Sequence, residues 1–135
     1  MAIRLIKIGV LYLAVGICLG IVMGAREQFT LAPVHAHINL LGFVTLTLAG
    51  LIYKAFPAAA ETRLARIHFW LHNIGLPPFM VALALMLSGN AGMGPVVGIL
   101  SLVVGGGVLL FIINVWRTLR VQPAAAAAPA ALATP

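Results

Sequence analysis

Two histidines in three residues, His35 and His37, stand at the head of the apolar run HAHINLLGFVTLTLAGLIYKAFP, with Asn39 just behind them. Ionisable side chains inside a bilayer are costly and mark function by default. Imidazoles at this density point to a metal or haem site. A second pair, His68 and His72, follows at i, i+4 spacing, which places both rings on one helix face where they could chelate a metal. No glutamate follows His68, so the zinc-protease HExxH pattern is absent. His68, beside Trp70 and Arg66, is expected at the membrane interface; His72 is the deeper candidate ligand, with hydrogen bonding in the core as its structural alternative. Pro77 and Pro78 remove two backbone donors, and Asn73 or His72 could satisfy the carbonyls this frees.

Other chemistries are missing. The only acids, Glu27 and Glu61, fall in expected loops. There is no carboxylate pair for acid–base hydrolysis and no carboxylate proton relay. The chain has no glycine-rich phosphate loop and no nucleophile elbow. The single cysteine, Cys18, cannot form a disulfide within the chain and reads as a small packing residue.

The elements that hold these residues must lie in a membrane. Of 135 residues, 63% are hydrophobic and 7% are charged, against roughly 25% charged in soluble domains. Four apolar segments are long enough to cross a ~30 Å hydrocarbon core: Ile3–Ala25, Pro33–Phe56, Arg66–Ser88 and Pro95–Trp116. The expected fold is one all-α domain, residues 1–120, of four transmembrane helices. Residues 121–135 are Ala/Pro-rich and read as a disordered tail. The first segment resembles a signal peptide in its Arg4 and Lys7. It exceeds the usual apolar length of ~7–15 residues, so it is read as a retained span.

Charge orients the bundle. Arg4, Lys7, Lys54, Arg63, Arg66, Arg117 and Arg120 fall on one side of a four-span arrangement, and Arg26 alone on the other. The positive-inside rule then puts both termini in the cytoplasm of a bacterial inner membrane and His35 near the outer face. The net charge of +6 reflects this scatter and implies no nucleic-acid surface. Gly16, Gly20 and Gly24 form a helix-packing face. Gly94, Gly98 and Gly105–Gly107 repeat such small-residue spacing in the fourth span, for packing within the chain or between copies.

On a helix, His35 and His37 lie about 200° apart, so they face different neighbours. His35, Asn39, Gly42, Ala49 and Tyr53 make one small, polar stripe, suited to a flat ligand or a close helix. His37 is ~6 Å below the outer boundary and His72 ~16 Å below it, too far apart to bind one haem iron from both sides without strain. Met23 matches His37 in depth, although methionine is a routine gap-filler.

HAHINLLGFVTLTLAGLIYKAFP resembles the tenth helix of haem–copper oxidase subunit I, in particular the cbb3-type oxidases and nitric oxide reductases, and RIHFWLHNIGLPPFM resembles the start of the eleventh. By position, the resemblance implies that His35 matches the ligand of the high-spin haem and His37 that of the low-spin haem. The family has twelve core helices in three four-helix arcs. This chain resembles one arc, and the copper-site histidines have no counterpart in it. The resemblance therefore implies a haem b-binding electron-transfer or gas-binding protein and not an oxidase in a single copy. It further implies a homotrimer, with His37 of one copy and His35 of the next on one haem, Arg26 at the propionates and a respiratory electron-transfer partner. The alternatives are a copper-binding protein using His35, His37, Met23 and Met93, and a structural subunit of a respiratory complex.

Overall fold

The computed structural model describes residues 1–119, and the Ala/Pro-rich tail lies outside the described residues, as does Arg120. Four long helices cross the molecule, and no strand occurs among the described residues. They run Ala2–Arg26, Ala32–Ala55, Arg63–Leu87 and Ala91–Thr118, each long and apolar enough to cross a membrane. The fourth opens with one 3₁₀ turn, Ala91–Met93. The chain is a multi-pass membrane protein with an all-α fold. The expected spans and the observed helices differ by a few residues at their ends, where capping rather than hydropathy decides.

Local chemistry bounds the first and third spans. Glu27 takes a left-handed conformation (φ 52°) after the first span, and the amides of Glu27 and Gln28 bond back to Gly24 and Met23. Such a turn satisfies carbonyls that the helix leaves open. Thr62 caps the third span by accepting from the Ala65 amide at 3.0 Å. Gly89, at φ 107°, closes that span's far end. Pro77 and Pro78 sit inside the third span without breaking it. The side chains expected to serve the freed carbonyls do not: Asn73 donates to Phe69 O at 2.7 Å and His72 to Leu41 O at 3.0 Å.

The helices form two antiparallel pairs, first with second and third with fourth. The pairs meet in two apolar clusters. Near the histidine-bearing end of the second span, Val34 and Ile38 meet Leu76, Phe79, Met80, Leu83 and Val104. Near the opposite end, Leu5, Leu46, Ala49 and Tyr53 meet Ala59 and Ala65. Arg4 and Arg66 border one cavity at that end, with Trp70 beside them. It is the basic end of the molecule; Arg26 stands at the other. Between these ends the outer surface carries many exposed apolar side chains, with Leu11, Ile74 and Leu102 at 67%, 64% and 76% exposure. Only lipid or another apolar helix can cover such a surface.

The middle of the second span is not α-helical. Ile38–Thr45 forms a π-helix directly after His37. Pairing at i→i+5 is rare and frequently sits at functional sites. Within it the Leu40 carbonyl accepts from Thr45 Oγ1 and the Leu41 carbonyl from His72. Gly42 lets the Tyr12 ring press on the backbone where any Cβ would collide with it.

Candidate functional site

The His-x-His pair divides as the helical spacing predicts. His35 turns to the first span. Its Nδ1 donates to the Gly16 carbonyl at 3.0 Å, and Asn39 Nδ2 donates to its Nε2 at 3.3 Å. Asn39 also donates to the His35 carbonyl at 2.9 Å. Gly16 and Gly20 supply the space, because a Cβ at either would meet the Asn39 amide or the His35 ring. The polar stripe thus serves a close helix. Both His35 nitrogens are occupied within the chain, and Asn39 holds that ring in place.

His37 turns the other way. Its Nδ1 lies 2.7 Å from the Pro33 carbonyl. A carbonyl only accepts, so Nδ1 carries the proton and Nε2 keeps its lone pair. The ring rests edge-on against Phe79, centroids 5.7 Å apart at 86°. It lines a groove of about 350 Å³ with Leu41 and Phe79, walled on the fourth span by Ser101, Val104, Gly105, Val108, Leu109 and Ile112. The groove opens sideways, toward where lipid or a second copy would lie. No other imidazole, thioether or thiol lines it.

Arg26 and Met23 belong elsewhere. They line a second cavity of about 540 Å³ at the end of the bundle, with Gln28, Thr30 and Ser88. Within one chain, then, Arg26 does not share a cavity with His37. Nor do His35, His37, Met23 and Met93 converge: His35 is bonded to the first span, and Met23 lies in the other cavity. No group of three or more His, Cys, Asp or Glu that could hold a metal ion exists among the described residues.

His68 and His72 are both fully buried. His68 is therefore not the interface residue that its neighbour Trp70 suggests. Two helical positions are about 200° apart, so an exposed Trp70 turns His68 inward. Its ring packs on Phe111 and Tyr53, with centroids 5.1 and 6.1 Å away. His72 touches neither cavity and holds the Leu41 carbonyl, one turn below His37. Within the chain, His72 does not line the groove that holds His37, and the two rings lie at the different depths read from the sequence.

Sequence reasoning passed over three features. Phe79 forms the floor under His37. The π-helix has no signature in a pattern read at 3.6 residues per turn. Asn114, fully buried in the fourth span, ties Thr62, Ala59 and Tyr53 together. A lone amide in an otherwise apolar helix was the available signal for it.

No family model, no curated protein and no solved structure matches this chain.

Proposed function

We propose that this protein binds haem b through His37, in the groove between the second, third and fourth spans. The observation behind this reading is the state of the imidazole: a proton fixed on Nδ1 by the Pro33 carbonyl, a lone pair on Nε2, and an apolar groove beside the ring. A backbone acceptor on one ring nitrogen is how proteins fix the ligating tautomer and raise its basicity. Ligand pockets are apolar clefts of roughly 300–1,000 Å³ with few polar groups, and the groove falls in that range. The resemblance of HAHINLLGFVTLTLAGLIYKAFP to the haem-binding helix of haem–copper oxidases adds to the reading.

Bound haem would supply a one-electron centre, or an iron to which a diatomic gas binds, with its potential tuned by its surroundings. The chain's own residues do the rest. Pro33 orients the His37 ring and Phe79 restrains it. Leu41, Val104, Val108 and Leu109 keep water from the groove. Among the residues lining the groove, His37 alone would hold the iron, which suits gas binding; a second copy could supply a further ligand, and that arrangement would suit electron transfer. His35 can serve there only by leaving Gly16 and Asn39. The basic end is assigned to the cytoplasm of a bacterial inner membrane by the positive-inside rule.

The copper reading has less support, because the imidazoles and thioethers it needs do not converge.

The test is an absorption spectrum of detergent-purified protein, oxidised and then reduced with dithionite. The reading expects a Soret band with a reduced α band, lost in His37→Ala and kept in His35→Ala. Full haem retention in His37→Ala, or a colourless wild-type protein expressed with haem in excess, removes it.

A further inference from the structure

The third span carries a buried polar column that the haem reading does not use. At the basic end, Thr62 Oγ1 donates to Asn114 Oδ1 at 2.8 Å, and Asn114 Nδ2 donates to Tyr53 Oη at 3.4 Å. Tyr53 Oη lies 3.4 Å from His68 Nδ1. The His68 and His72 rings stand edge to face, centroids 5.6 Å apart. His72 Nε2 reaches the Leu41 carbonyl. Tyr53, His68, His72 and Asn114 are all buried.

Two atoms in this column are left over. His68 Nε2 and His72 Nδ1 are buried without a hydrogen-bond partner among the described residues. The positions of the protons follow from the neighbours. The Leu41 carbonyl only accepts, so His72 carries its proton on Nε2 and a lone pair on Nδ1. The Tyr53 hydroxyl accepts from Asn114, and the one acceptor for its own proton among the described residues is His68 Nδ1. His68 therefore carries its proton on Nε2. The two orphans are a donor and an acceptor, one turn apart on one helix. Buried polar atoms in a membrane interior must be satisfied, and a water between the two rings would serve both.

We propose that one water bridges His68 Nε2 and His72 Nδ1, and that Tyr53, His68, this water and His72 form a proton relay from the basic end into the membrane interior. A proton arriving from solvent at Tyr53 Oη, beside half-buried Thr62, releases the phenolic proton to His68 Nδ1. His68 passes its Nε2 proton to the water, and the water passes one to His72 Nδ1. One proton enters, one is gained by His72, and no electron moves. The added charge then sits behind Leu41, which lines the His37 groove. Among the described residues, Tyr53 is the one other titratable group in contact with the two histidines; Phe111 and Gly107 cover them from the fourth span, and both carboxylates of the chain are exposed. The relay does not depend on what the groove holds.

The test uses the full chain in lipid nanodiscs with ¹⁵N-labelled histidine, read by magnetic resonance. In the wild type, both His68 and His72 are expected as Nε2–H tautomers, with a water cross-peak to each. An Nδ1–H tautomer at His68, or no water contact at either ring, overturns the proposal without any variant. Tyr53→Phe removes the hydroxyl and keeps the ring, and it is expected to slow exchange of the His68 Nε2–H, the proton the relay passes on, with D₂O by about tenfold or more. Unchanged exchange in a folded Tyr53→Phe protein also overturns it.

Discussion

At the scale of single residues, the molecule separates histidines that look alike in the sequence. His35 is held from two sides by Gly16 and Asn39, whereas His37 has one nitrogen committed and one free. The difference comes from the neighbouring helix: glycines at 16 and 20 admit His35 and Asn39, and nothing comparable faces His37. Asn114 shows the same dependence on partners. Its amide donates to the Ala59 carbonyl at 2.8 Å and to Tyr53, and its oxygen accepts from Thr62 at 2.8 Å. Replacing Asn114 with alanine removes its three hydrogen bonds to Thr62, Ala59 and Tyr53 and leaves Thr62 Oγ1 only the Ala59 carbonyl, 3.2 Å away, to donate to. Hydrogen bonds between membrane helices contribute about 0.6–2 kcal/mol each. Asn114→Ala is therefore expected to lower the melting temperature in detergent and to loosen the start of the third span from the fourth. A melting temperature equal to the wild type's would mean that these bonds contribute nothing.

At the scale of elements, the second span decides most. Hydropathy and length were enough to place all four helices, because lipid permits few other structures and apolar runs of this length have one use. The division of His35 from His37 was also legible, since two positions of a helix always diverge. What the pattern could not show was the π-helix at Ile38–Thr45, because its wider turn needs no special residue type. The burial of His68 and the gathering of Tyr53, Thr62 and Asn114 were equally hidden. They depend on which helix faces which, and one apolar helix resembles another. Gly42 gives a direct test of the second span's fit. Its missing Cβ is where the Tyr12 ring lies, whereas Gly94 has nothing near it. Overpacking a tight contact costs roughly 1–3 kcal/mol. Gly42→Val is expected to destabilise the protein by about that amount, and Gly94→Ala to leave stability unchanged. Equal melting temperatures for the two variants would show that the first and second spans do not approach as closely as described.

At the scale of the whole molecule, the fourth span is the least committed element. Gly94, Gly98, Gly105 and Gly106 have no neighbour where a side chain would stand, while Gly107 alone packs on the third span. Gly98 and Gly105 lie on one helix face with Ser101, and that face borders the open side of the His37 groove. In membranes such faces let another helix approach closely. A closed ring of copies is the ordinary way to bury a repeated face of this kind. The assembly we propose is a homotrimer in which the groove of each copy would be closed by the next. Gly98→Leu separates this assembly from the fold. The added side chain enters open space within one chain, so helix content and melting of the protomer should hold. At an interface it would block close approach. The wild type is expected to run as three chains by native mass spectrometry in mild detergent. Gly98→Leu should run as one chain, with less haem per chain and a five-coordinate spectrum. A wild-type monomer or dimer removes the trimer, and a Gly98→Leu trimer with full haem shows that this face is turned to lipid.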